Sequence, residues 1–268
     1  MLIYQGYSLS IVGVASPWIA KSFLLSQIKL AGIFAWMSLS AFGALILARF
    51  ADRIGRRKVI LSSLILAPLS AAGAAITHRL APFVFLEILI SALLGGAVSS
   101  SLVLLAEELP AAQRARGQAF AAFGSAVGGT LAYLIIPFLL RWGYSWRWLL
   151  APCVAGFALI FPLARMLPID TRWSRLASAG SISRSHFYDI FHPFYRRRAI
   201  TLLACAALDT IAGSAVNGWL YFDSVSIIGL SPQKASSVIV AGMALGMLGF
   251  PIGAWTSNRF GRVPTVIM

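Results

Sequence analysis

Apolar residues in this chain neither alternate with polar ones nor recur with the narrow stripe of a surface helix. They run on. Long apolar stretches occupy residues 2–22, 31–50, 59–77, 81–105, 117–140, 148–167, 199–222 and 235–257. Each is close to the ~20 residues an α-helix needs to cross a bilayer. A helix bonds its own backbone polar groups, which hydrocarbon demands. The pattern predicts an all-α membrane protein with eight spanning helices. Glycine and proline fall inside the runs, as in "GSAVGGTLAYLIIPF" from Gly124 to Phe138, a mixture that membrane helices tolerate. The pairs Gly124/Gly128 and Gly242/Gly246 have the four-residue spacing that lets helices cross closely.

Composition agrees. Hydrophobic residues make up 59% of the 268, mean hydropathy is +0.83, and only 11% of residues are charged. A soluble domain is nearer half apolar. The net charge of +14 invites a nucleic-acid reading, but the charges lie in loops between apolar runs and form no helical stripe. No nucleic acid is expected as a partner. Basic loops are instead the topological signal of a membrane protein. Loops after even-numbered runs, with their flanks, hold sixteen of the Lys and Arg residues and the other side holds six. The even loops and the N-terminus are therefore predicted to face the cytoplasm, in a multi-pass protein of the cell membrane. Trp142, Tyr144, Trp146, Trp148, Trp219 and Tyr221 cluster at the opposite interface, as an aromatic belt would.

Little points to enzymatic chemistry. Cys153 and Cys205 lie within apolar runs and read as small core residues. His186 and His192 are too isolated for a metal site, which needs about four ligands. There is no nucleophile beside a base and no phosphate-cradling loop. No cofactor, no metal and no enzymatic activity are expected.

One turn concentrates the charge. "ARFADRIGRRKVI", from Ala48 to Ile60, follows the second run; "AWTSNRFGRVPTVI", from Ala254, follows the eighth. Asp52-Arg53-Ile54-Gly55-Arg56 aligns with Asn258-Arg259-Phe260-Gly261-Arg262 at an offset of 206 residues. Six spans separate two copies of one cytoplasmic turn. That is the mark of repeated six-helix halves, an arrangement used to rock around a central site. Arg56, Arg57 and Lys58 suit anionic headgroups at about 1 kcal/mol each. Asp52 does not suit them, and predicts a partner such as Arg53 or the positive N-terminus of a facing helix.

These residues resemble the major facilitator superfamily of secondary transporters. Its signature after span two is a small residue followed by Asp-Arg-x-Gly-Arg-Arg, here Ala48 to Arg57. "AEELPAAQRARG" resembles its Glu-x-x-Pro-x-x-x-Arg turn through Glu107, Pro110 and Arg114. "SWRW" (Ser145 to Trp148) resembles the loop entering span six, and "LPIDTRW" (Leu167 to Trp173) a sugar-porter element, with Ile169 where that element has Glu. "GYSLSIVGVASPWIA" resembles the first span of the aromatic-acid and sugar-porter branches.

The resemblance implies a major-facilitator-type helical bundle with one complete six-helix half (1–167) and the first two helices of the second half (199–268). A basic cytoplasmic linker joins them (168–198), with an interfacial helix in "SHFYDIFHPFYRRR". It implies a secondary active transporter importing a small organic acid or sugar-like solute, coupled to protons. The family's matching Asp latches the two halves in the outward-open state. Carried over, the latch comprises Ala48, Asp52, Arg53, Gly55, Arg56, Arg57, Glu107 and Arg114, with a second copy at Asn258, Arg259, Gly261 and Arg262. A member has twelve spans, and this chain stops where a ninth would start. The expectation is a fragment whose missing helices come from a second chain, or a transporter-derived scaffold or sensor.

Ionisable and polar residues inside the spans are the site candidates, because they are costly there. Asp209 lies roughly 15 Å into span seven at 1.5 Å per residue. It would carry a coupling proton, bind a cationic substrate group, or pair with a neighbouring helix. Asn217 follows on the same helix. Glu87 stands where many family members have Arg in span four, a reversal of charge. It reads either as a coupling group or as a shallow, hydrated partner of Arg79. In span one the aromatic-acid branch has two acids where this chain has Gln5 and Ser8. Neither titrates near neutral pH, so Tyr4, Gln5, Tyr7, Ser8 and Ser10 are expected to line a polar site by hydrogen bonding alone. Span five lacks the Gly-Pro motif of the family's antiporters, which favours uptake over efflux.

Overall fold

A computed structural model describes residues 1–110, 113–167 and 192–261; side chains at 195, 209–212, 214–217 and 258 lie outside it. The predicted linker up to residue 191, its aromatic stretch at Phe187 to Phe191 and Arg262 lie outside the described residues.

The spans form as helices. α1 is Leu2–Ser22; α2 (Gln27–Met37) and α3 (Ser40–Ile54) together make span two; α4 is Arg56–Ile76, α5 Leu80–Glu108 and α6 Arg114–Arg141. Span six is broken into a 3-10 turn at Trp146–Leu150, α7 (Ala151–Val154), a second 3-10 turn at Ala155–Leu159 and α8 (Ile160–Met166). α9 (Pro193–Phe222) ends in a π-turn, Asp223–Ile227, and α10 (Pro232–Met247) with α11 (Gly249–Phe260) makes span eight. Side chains cap several starts. Ser26 accepts the Lys29 amide, Ser231 the Lys234 amide, and His192 the Phe194 amide. Pro193 occupies the first position of α9, where its missing N–H costs nothing. This start carries the helix six residues upstream of the predicted span, so Arg196, Arg197 and Arg198 are helical.

Among the described residues six spans are long and apolar enough to cross a membrane, and α1 is not one of them. The reason is its place. α1 carries Tyr4, Gln5, Tyr7, Ser8 and Ser16 as buried residues and packs along α6, α5 and α9. It is the central helix and meets protein more than lipid. Most of the core is apolar, but polar side chains are buried within it while large apolar ones face outward. Gln5, Ser8, Ser63, Ser70, Glu87, Ser100 and Thr130 are buried, whereas Phe42, Leu45, Ile46, Phe85 and Phe138 are exposed. That inversion is what a hydrocarbon solvent produces. Four of the buried hydroxyls donate to the carbonyl one turn back, Ser8 to Tyr4, Ser70 to Leu66, Ser100 to Gly96 and Thr130 to Ala126, which satisfies them without a partner helix, whereas the Ser63 hydroxyl is buried without a hydrogen bond.

Two helix pairs approach closely. A Cβ on Gly6 would overlap the Ser125 carbonyl, and one on Gly128 the Ile3 carbonyl, so α1 and α6 touch main chain to main chain. Between α3 and α5 the approach is less complete: Gly43 and Gly96 make room for the side chains of Ala92 and Leu47. The other predicted glycine pair behaves differently: Gly242 and Gly246 meet nothing within 4 Å.

At the end predicted to face outward, Trp146 donates to the Ser22 hydroxyl at 3.0 Å. Arg147 donates to the Ala74 and Ala75 carbonyls and lies over the Trp146 ring at 5.0 Å. Trp146 is therefore a core residue and not part of a belt. Tyr221 is also fully buried, whereas Trp142, Tyr144 and Trp148 are exposed as a belt requires.

Candidate functional site

Two sites emerge. The first is a polar cluster sealed inside the first half. Tyr4, Tyr7 and Ser8 share one face of α1, three and four residues apart, and that face meets the broken span six. The Tyr4 hydroxyl donates to the Cys153 carbonyl at 3.0 Å, and the Tyr7 hydroxyl to the Leu149 carbonyl at 2.8 Å. The Ser8 hydroxyl donates to the Tyr4 carbonyl at 2.9 Å and lies 3.1 Å from the Cys153 sulfur. Gln5 faces α6, where its Oε1 accepts from the Ser125 hydroxyl at 3.2 Å. Gly156 makes room for the Tyr4 ring. Glu87 comes from α5, is 2% exposed, and interacts electrostatically with the Cys153 thiol. Its Oε1 has no hydrogen-bond partner.

Four of the five α1 residues expected to line a polar site are thus buried and hydrogen-bonded; Ser10 is only partly buried and donates to the Gly6 carbonyl at 2.9 Å. The expectation of a shallow, hydrated Glu87 paired with Arg79 is overturned. Glu87 is enclosed and Arg79 is exposed, with no ion pair between them among the described residues. Burial follows from the packing of α5 under α1, which counting residues from a loop cannot reveal. Cys153 and Ser125 complete the cluster; sequence reading took Cys153 for a small core residue and passed over Ser125, because single small residues in apolar runs carry no periodic signal. Asp209 and Asn217 lie within α9, but their side chains are outside the described residues.

The two halves meet across an aromatic seam near the other end of α1. Tyr221 of α9 packs against Tyr133 at 5.6 Å and Trp18 at 5.9 Å between ring centroids. Its hydroxyl lies 3.1 Å from that of Ser236. Phe34 and Trp219 make a T-shaped contact at 5.6 Å.

The second site is the charged turn. Helix α3 ends and α4 begins at Gly55, whose φ of 98° and ψ of 135° suit only glycine. Gly261 repeats this geometry after α11 with φ 91° and ψ 165°, so the sequence repeat is also a backbone repeat. Arg56 bridges Asp52, at 3.6 Å, and Glu107 at the end of α5. Arg57 donates to the Ala164 carbonyl of span six, and the Arg114 Nε to the Leu109 carbonyl at 3.1 Å. Arg56 and Arg57 therefore tie helix ends together, which corrects their reading as headgroup contacts. Asp52 takes Arg56 as partner and stays 59% exposed at its side chain. Ala48 is partly buried and Arg53 is exposed. In the second copy Arg259 lies over the Trp255 ring at 5.2 Å. The Asn258 side chain and Arg262 are outside the described residues.

Comparison with known proteins agrees with this architecture. A family profile described as Major Facilitator Superfamily matches residues 1–268. The gentisate transporter of Corynebacterium glutamicum is 23% identical over 98% of this chain and 60% of its own length. The gallate transporter of Pseudomonas putida is 31% identical over 68% of this chain and 41% of its own. The 3-(3-hydroxy-phenyl)propionate transporter of Escherichia coli is 26% identical over 92% of this chain and 60% of its own. The chain thus spans roughly two-fifths to three-fifths of these relatives' length. Among solved structures, the proton:xylose symporter XylE bound to 6-bromo-6-deoxy-D-glucose superposes with a TM-score of 0.71 at 20% identity. That match covers 98% of this chain and 68% of XylE. Profile, topology and repeated turn converge, and the chain belongs to the Major Facilitator Superfamily.

Proposed function

We propose that this chain forms the larger part of a secondary transporter that brings a small aromatic acid into the cell together with a proton. The shared cargo of its relatives supports this reading: gentisate, gallate, a hydroxyphenylpropionate and benzoate. The hydrogen-bonding face of α1, with its tyrosines, Gln5 and Ser8, suits a planar, hydroxylated acid of that kind. Asp209 and Asn217 of span seven are further candidates for substrate or ion binding. The Arg56 bridge, with Asp52, Arg53, Arg57, Glu107 and Arg114, would latch the basic ends of the first half. The second turn would do the same for the other half, once further helices from a second chain cover α10 and α11. The basic face, with the N-terminus, lies toward the cytoplasm and its anionic lipids.

The test is uptake of radiolabelled gentisate, benzoate and xylose into proteoliposomes holding the chain with whatever partner co-purifies. Accumulation of an aromatic acid under an inward proton gradient is expected. Xylose accumulation would replace the acid with a sugar. Binding without flux would make the protein a sensor.

A further inference from the structure

Among the described residues Glu87 is the only acidic or basic side chain buried in the bundle. It sits seven residues into α5, roughly 10 Å from the start of that helix at 1.5 Å per residue. Five helices pack on α5. The titratable side chains they bury are Tyr4 and Tyr7 on α1 and Tyr133 on α6; α2, α3 and α4 bury none. Cys153 approaches from span six. The Tyr4 and Tyr7 hydroxyls are committed to carbonyls. Arg147, at the outer end, directs its Nη1 to the Ala74 and Ala75 carbonyls. Among the described residues no cation pairs with Glu87, and its Oε1 is unbonded.

An ionised carboxylate sealed without a counter-ion is penalised by several kcal/mol. Buried in this way, the carboxyl fits its surroundings best as a neutral acid. Of the other described groups in the cluster, serine and glutamine do not titrate, the Tyr4 and Tyr7 hydroxyls are committed to carbonyls, and the Cys153 sulfur lies against the Ser8 hydroxyl.

We propose that Glu87 is the seat of the coupling proton, so that this chain carries it on span four within the first half. When the cluster opens to outside water, a Glu87 carboxylate oxygen takes a proton from hydronium and the O–H bond forms. The neutral acid is then compatible with the sealed cluster seen here. When the cluster opens to the other side, the O–H bond breaks and the proton passes to water, leaving the carboxylate. The proposal rests on the transport reading for its direction, but the protonated, sealed carboxyl stands independently of it.

Two measurements on the Glu87→Gln variant separate these. In lipid-reconstituted protein, infrared spectroscopy should show a protonated-carboxyl band at neutral pH that is absent from Glu87→Gln. Finding no Glu87-dependent band overturns the proposal whatever the transport assay shows. In proteoliposomes the variant should retain exchange of labelled for unlabelled substrate, while its accumulation ratio under a proton gradient falls to unity. Native accumulation by Glu87→Gln overturns it. Loss of exchange along with accumulation assigns Glu87 to packing or substrate binding, and also overturns it. If the native chain shows the band but no flux of any solute, the transport reading fails and takes the coupling role with it, leaving only a buried protonated carboxyl.

Discussion

Gly55 shows how much one residue decides. Its backbone lies at φ 98°, a region that strains any side chain by about 1–3 kcal/mol. Gly55→Ala should lower stability by that amount, read as a fall in thermal midpoint in detergent. Gly261→Ala should do the same, because its φ is 91°. Beside Gly55, the Arg56 bridge to Glu107 is partly open to solvent, which limits its strength. A double-mutant cycle with Arg56→Ala and Glu107→Ala should give a coupling of about 0.5–1 kcal/mol. A coupling indistinguishable from zero would leave the bridge without a mechanical role. The glycine was legible in sequence as half of a repeat. The Glu107 partner was not legible as an ion pair, because 51 residues separate it from Arg56.

At the scale of the element, glycines divide by neighbour. Gly128 lies against the Ile3 carbonyl of α1, while Gly242 on α10 meets open space. Alanine is the better helix former by about 0.5–1 kcal/mol. Gly242→Ala should therefore be neutral or slightly stabilising in this chain, whereas Gly128→Ala must push α1 from α6 and cost about 1–3 kcal/mol. Protease resistance of the two variants in mild detergent, compared side by side, measures the contrast. Both glycines belong to equally good four-residue motifs, so spacing could not rank them. Span six offers a second case. Its apolar run predicted one helix, yet it forms in four short pieces, and the Tyr4 and Tyr7 hydroxyls bond to two of its carbonyls. Removing the Tyr4 hydroxyl with Tyr4→Phe should cost about 0.5–1.5 kcal/mol.

For the whole molecule, the test is sidedness. With Cys153 and Cys205 replaced by serine, single cysteines placed at Lys58 and at Tyr144 should label from opposite faces of intact cells. Labelling from the same side would break the eight-span threading. The seam at Tyr221, Tyr133 and Trp18 joins the halves there. Sequence reading put Tyr221 at the headgroups. An aromatic near a span end serves lipid or protein equally well, and only the approach of α9 to α1 decides between them.

Membrane residence, helical content, the duplicated turn and the family were all legible along the chain. Each depends on local quantities: apolar length, the sidedness of Lys and Arg, and glycine spacing within one loop. Only the tertiary structure decided that α1 is central, that Ser8 meets Cys153 and that Glu87 is enclosed without a cation. Those facts depend on which faces of distant helices meet, and in a bilayer a lipid-facing run and a protein-facing run are written in nearly the same apolar alphabet.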